Sequence, residues 1–243
     1  MADFEVEVKS LLGSEENAQT LRERMMVIDP STHVTSRNKQ LNHYFTGLPA
    51  HAGRGQGGDM QALAVALEPH FSVETLAKFI DILQKGSDFS VRTREIENGR
   101  LPAGRQGTVL LVVKASVGDD TSSNGVARME FEEEINLSLD DLDNLLLASG
   151  LRYQAKWSRN REEYLCQGIN VCLDRNAGYG WLAEFERVVG QESELDSARQ
   201  QVRALMEQCG VVELQQDRLE RMFAFYNAHW GEYYGTDKVF TVA

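Results

Sequence analysis

Residues 4 to 9 read Phe4-Glu5-Val6-Glu7-Val8-Lys9, with apolar and charged side chains in strict alternation. Successive side chains of a strand point to opposite faces, so Glu5, Glu7 and Lys9 share one face and Phe4, Val6 and Val8 the other. A single such strand is what any half-exposed edge carries. Here the pattern recurs. Arg92 and Arg94 are spaced by two, as are Arg128, Glu130 and Glu132, then Arg159 and Arg161, then Glu184 and Glu186, and Lys114 stands alone in a β-forming run. Each like-charged pair on one face destabilises its own strand, so a chain that accumulates them needs something that neutralises both signs together. Opposed carboxylates suit a hard divalent cation, Mg²⁺ or Mn²⁺, and clustered Arg and Lys suit phosphate oxygens, with Arg offering two parallel hydrogen bonds. A metal with a polyphosphate meets both demands.

The elements that must position these residues follow from periodicity. After the first strand, Ser14 is placed to cap a short helix with Leu12, Ala18, Leu21 and Met25 on one face, and residues 26–46 read as a second long strand. A glycine-rich turn at 51–58 leads into a helical insertion, about residues 50–86, capped a second time by Ser72. The turn lacks the spacing and the Lys-Ser/Thr ending of a phosphate loop. Strands are expected at 90–95, 108–116 and 126–135, separated by loops at 101–107 and 118–125. Ser138-Leu139-Asp140-Asp141 opens a helix that ends at Gly150, and three further strands span 153–164, 169–174 and 181–189. Two amphipathic helices fill about residues 191–230. Some eight strands with mostly short connections make an α+β protein: an antiparallel β-barrel of eight strands, closed or nearly closed, with helices packed outside. The helices need the apolar strand faces, which leaves the charged faces to line a wet tunnel.

Composition limits the function classes. The 243 residues suffice for one large domain or two small ones, a single domain over 1–243 being expected, and can bury a substantial core; the net charge of −12 argues against nucleic acid and anionic lipid as partners. Cys166, Cys172 and Cys209 are odd in number and lack metal spacing, which fits a reduced cytoplasmic protein. The longest aliphatic run, 109–113, is too short to span a bilayer, and the first residues carry acids where a signal peptide has bases. His33 and His43 share a strand face, and a structural or surface role is expected for them ahead of proton transfer. The aromatic residues between Phe223 and Tyr234 are expected to pack, not to stack on a ligand, because no basic residues interleave with them.

Taken in order, the motifs resemble the CYTH, or triphosphate tunnel metalloenzyme, superfamily, which includes class IV adenylate cyclases and thiamine, inorganic and fungal RNA triphosphatases. The resemblance rests on Glu5-x-Glu7-x-Lys9, Gln40-x-Asn42-x-Tyr44-Phe45, Arg92-x-Arg94, Lys114, Arg128-x-Glu130-x-Glu132, Arg159-x-Arg161-x-x-Tyr164, Cys172-Leu173-Asp174 and Glu184-x-Glu186. Asn42 stands where the family more often has Asp, and the insertion is longer than usual. The resemblance implies that Glu5, Glu7, Glu184 and Glu186 hold one or two Mg²⁺ or Mn²⁺ ions, and that Lys9, Arg92, Arg94, Lys114, Arg128, Arg159 and Arg161 grip a triphosphate. Lys9, Arg128, Glu130 and Glu132 would act at the reacting phosphorus. The expected activity is metal-dependent hydrolysis of a small triphosphate such as ATP, thiamine triphosphate or tripolyphosphate. The alternatives are cyclisation of ATP to cyclic AMP and pyrophosphate, or a non-catalytic module that binds polyphosphate or nucleotide. The exposed apolar insertion could support a homodimer.

Overall fold

The computed structural model describes residues 4–47, 57–98, 107–116 and 128–241 of the chain. Eight antiparallel strands close into a ring: β1 (Phe4–Gly13), β2 (His33–Thr46), β3 (Ser87–Asn98), β4 (Thr108–Ser116), β5 (Arg128–Glu134), β6 (Arg152–Cys166), β7 (Ile169–Asn176) and β8 (Gly180–Val189). Their order around the ring is β1-β5-β4-β3-β2-β6-β7-β8. Closure is uneven. The β1–β8 pairing runs from Phe4 opposite Val189 to Gly13 opposite Trp181, and among the described residues the β1–β5 seam shows Phe4 opposite Met129 and Glu5 opposite Arg128.

Among the described residues six α-helices surround the ring: α1 (Glu15–Ile28), α2 (Gly57–Leu67), α3 (Val73–Lys85), α4 (Leu139–Ala148), α5 (Leu195–Cys209) and α6 (Gln216–Tyr233). Ser14, Ser72 and Ser138 each accept a hydrogen bond from an amide three residues on, satisfying a donor the first turn leaves open. The second strand starts later than its sequence suggests. Met26 to Ile28 continue α1, the Asp29 amide donates to the Met25 carbonyl, and Asp29 Oδ1 accepts from the amide and hydroxyl of Ser31, turning the chain before His33. The glycine-rich turn, apart from Gly57 and Gly58, and the loops expected at 101–107 and 118–125, apart from Gly107, lie outside the described residues.

The core lies between the ring and its helices. Val6, Val8, Val171 and Phe185 pack outward against Leu21 and Met25 of α1 and Val202 and Leu205 of α5. Leu111, Val113 and Phe131 pack against Leu63 of α2, Phe79 of α3 and Leu142 of α4, and α6 lies against β6 through Leu219, Met222 and Tyr226. A fully buried side chain of this size contributes about 1.5–3 kcal/mol. With period-two strands, this outward burial turns the alternate, ionic positions inward. Among the described residues no helix is long and apolar enough to cross a membrane.

Candidate active site

The interior of the ring is a cavity of about 510 Å³. Glu5, Glu7, Lys9, Arg92, Arg94, Lys114, Glu130, Glu132, Arg159, Arg161, Glu184 and Glu186 all line it. Register explains the convergence: Glu7 stands opposite Glu186 and Lys9 opposite Glu184 on β1 and β8, Lys114 stands opposite Glu130, and Arg161 stands opposite Asp174. Arg128 pairs through its backbone with Glu5 and Ser116, and its side chain lies outside the described residues.

The basic wall is built on Asp174. This fully buried carboxylate accepts from Arg161 Nε at 2.8 Å and Nη2 at 2.6 Å, and from Arg159 Nη1 at 2.8 Å. Arg161 also bonds Glu184, whose carboxyl is held well below the usual range by Arg161, Lys9 and Arg159 against the cost of burial. Glu184 therefore sits with the bases, apart from its sequence partner Glu186. Arg94 donates from Nε to Asn42 Oδ1 at 2.9 Å and from Nη1 to Glu132 at 3.1 Å. Burial and the charges of Arg92, Arg159 and Arg161 push Arg94 down, and the buried Arg92 Nε has no hydrogen-bond partner. Arg94 is thus short of anion, whereas, against the cost of burial, Tyr44, Glu130 and Glu132 hold Arg92 charged and Asp174 and Glu184 do the same for Arg161.

On the acidic side, Lys114 bonds Glu5 and lies 3.3 Å from Glu130 and 3.8 Å from Glu7, while Lys9 bonds Glu7. Burial opposes ionisation of Glu5, but Lys114 brings it down to about 2. Burial and the neighbouring Glu5 charge push Glu186 up to about 8 and also raise Glu130. Among the described residues no three His, Cys, Asp or Glu side chains already converge as metal ligands. The donor chemistry of Glu5, Glu7 and Glu186 still matches a hard divalent cation: every atom offered is a carboxylate oxygen, and the raised Glu186 records a repulsion that a cation would relieve.

Gln40 and Tyr44, named in the sequence motifs without an assigned role, complete the wall, and Asn42 and Asp174 of the same motifs lie buried behind it; all four sit at the same period-two positions as the charged pairs. Tyr44 accepts from Arg92 Nη1 at 2.8 Å, and Gln40 accepts from Arg159 Nε at 2.8 Å. Trp157, Tyr179, Phe223 and Asn227 also face the cavity, so Phe223 does more than the packing expected of it. His43 points the other way. Its Nδ1 meets Asp143 Oδ2 at 2.6 Å and its Nε2 meets the Tyr234 hydroxyl at 2.7 Å, on the outer side of β2. Asp143 also accepts from Thr93 and Tyr153, each at 2.6 Å. His33 is exposed, with its Nδ1 2.9 Å from the Ser31 carbonyl.

The family model of the CYTH domain matches residues 78–218 of the chain. No curated protein matches it. Among solved structures the ring is similar to a protein from Pyrococcus horikoshii, with a TM-score of 0.58 and 20% identity over 89% of this chain and 99% of that one. It is similar to a candidate adenylate cyclase from Vibrio parahaemolyticus, with a TM-score of 0.58 and 17% identity over 92% and 99% of the two chains. A conserved hypothetical protein from Pyrococcus furiosus aligns with a TM-score of 0.57 and 14% identity over 88% and 93%. These likenesses describe the fold.

Proposed function

The chain belongs to the CYTH domain family, and from that premise we propose that it is a metal-dependent triphosphatase acting on a small triphosphate inside the ring. One observation carries the reading: a single cavity in which four clustered guanidiniums, Arg94 among them pushed down by its like-charged neighbours, face crowded carboxylates. Arg92, Arg94, Arg159 and Arg161 grip the phosphate chain, and its oxygens give Arg92 Nε the acceptor it lacks. Glu5, Glu7 and Glu186 hold Mg²⁺ or Mn²⁺, with Glu184 left to orient Arg161 and Lys9. The ion, when bound, supplies charge neutralisation to the phosphoryl oxygens. Lys9 and Lys114 stabilise the charge that builds as the terminal P–O bond breaks. Glu130 lies among the acids and its carboxyl is raised, so it takes the proton of the attacking water; Glu132 is tied to Arg94 and orients that guanidinium. Water adds to the terminal phosphorus, the bridging oxygen leaves with its electron pair, and orthophosphate departs with a diphosphate.

A second reading, cyclisation of ATP, is favoured by the likeness to the candidate cyclase and by the aromatic side chains in the cavity wall. Purified protein incubated with tripolyphosphate, ATP or thiamine triphosphate, each with Mg²⁺ or Mn²⁺, separates the two. Orthophosphate release that needs the metal is expected. Cyclic AMP with pyrophosphate would replace the first reading with the second, and inert substrates would overturn both.

A further inference from the structure

Asp143 of α4 lies outside the ring, buried against the backs of three adjacent strands. It accepts hydrogen bonds from His43 on β2, Thr93 on β3 and Tyr153 on β6, each at 2.6 Å, and Lys156 of β6 is 3.9 Å away. Burial opposes its charge, but His43, Thr93 and Tyr153 hold its carboxyl below the usual range. His43 stands directly opposite Thr93, and the pairs on either side of them are Asn42 opposite Arg94 and Tyr44 opposite Arg92. Those flanking pairs turn inward, where Arg94 donates to Asn42 at 2.9 Å and Arg92 to Tyr44 at 2.8 Å. The middle pair turns outward, into the grip of Asp143.

Because side chains alternate along a strand, whatever fixes residues 43 and 93 from behind also fixes the backbone that carries both guanidiniums. Apolar packing would fill the same space but tolerate sliding, whereas a buried carboxylate is satisfied only where its donors meet it. The network also reaches α6. A carboxylate can only accept, so Nδ1 of His43 carries a proton, and the neutral ring offers Nε2 to the hydroxyl of Tyr234 at the end of that helix. Resting on the proposed function, we propose that Asp143, His43 and Thr93 are positioning residues for the triphosphate. They touch no substrate atom and hold Arg92 and Arg94 at the spacing the phosphate chain needs, since a displaced guanidinium loses the parallel bonds it can give to phosphate.

The test uses the full chain, well below each variant's melting midpoint. Thr93→Val removes the hydroxyl and keeps a β-branched shape suited to the strand, and Thr93→Ser keeps the hydroxyl. In metal-dependent turnover of tripolyphosphate, Thr93→Val should raise KM roughly three- to tenfold and change kcat much less, through loss of one hydrogen bond behind the binding wall. Thr93→Ser should recover the parent KM, and Asp143→Asn, which turns one carboxylate oxygen into a donor, should raise it further. Calorimetric titration with tripolyphosphate and no metal should rank the affinities in the same order. If Thr93→Val and Asp143→Asn melt lower yet keep the parent's KM and affinity, if the loss is confined to kcat, or if Thr93→Ser behaves as Thr93→Val, the network is structural alone. This inference then falls while the triphosphatase reading stands. If the parent binds tripolyphosphate without hydrolysing it, the triphosphatase reading falls and the affinity ranking decides this inference; if it does neither, both fall.

Discussion

Asp174 is the residue on which the basic wall depends, since it is fully buried and answers two guanidiniums at once. Its removal would leave Arg159 and Arg161 in the interior with only Glu184 between them. Breaking a buried ion pair from one side costs about 3–5 kcal/mol. Asp174→Ala should therefore lower stability by about that amount in urea unfolding, and a loss well below 1 kcal/mol would show that water reaches these groups. Tyr44 carries the pH dependence. Burial would push its phenol up, but Arg92 and Arg159 bring it down to about 8. The folded value lies below the unfolded value of about 10. Ionisation therefore adds stability as the pH climbs from about 8 to 10, and that gain is lost as the pH falls back through about 8. The phenolate also sets a negative charge beside Arg92, where a phosphate oxygen would bind. KM for tripolyphosphate should rise above about pH 8, and Tyr44→Phe should flatten that rise; a limb that survives in the variant would assign it to another group.

Among the elements, α6 has the tightest tie to the cavity. It supplies Phe223 and Asn227 to the wall and is pinned where residues 238–240 pair with the β7–β8 turn. Gly178 makes that junction possible. Its φ is +91°, and a Cβ there would lie 2.7 Å from the Tyr226 ring and 2.9 Å from Phe240. Gly178→Ala combines a left-handed backbone with a steric clash and should destabilise by about 2–4 kcal/mol, read as a lower thermal midpoint. Triphosphate turnover should fall along with it.

Element boundaries were legible where a cap or strict alternation marked them, as at Ser14, Ser138 and the β1 stretch. They slipped where turn chemistry decided, because nothing in the hydrophobic pattern of residues 26–28 shows that Asp29 will stop a helix. The ionic lining was legible because period-two spacing survives folding intact. Its pairings were not, because they depend on which strands become neighbours. Glu184 and Glu186 look equivalent in sequence, yet Arg161 captures one while Glu5 crowds the other. The aromatic wall was hidden for the same reason: Trp157, Tyr179 and Phe223 come from β6, a turn and α6.

At the scale of the whole molecule, inversion is the organising fact: apolar side chains face out to the helices and ionic ones face in. The net charge of −12 belongs to the whole chain, while the lumen brings lysines and arginines together with glutamates of opposite sign. Among the described residues the β1–β5 seam shows two opposed residue pairs. Amide hydrogen exchange should find Phe4, Glu5 and Met129 opening before the centre of β1–β8. Equal protection along both edges of β1 would show that the seam is reinforced beyond those pairs.

The pairing of β1 with β8 also sets a schedule. During synthesis β1 emerges long before β8, the strand it pairs with most extensively. At about 5–20 residues per second, Glu7 waits on the order of ten seconds or more before Glu186 exists to stand opposite it. A nascent chain halted before β8 would carry Glu5, Glu7 and Lys9 on an unpaired edge, competent for neither metal nor phosphate. Activity should thus appear as a late, single event in the life of each polypeptide.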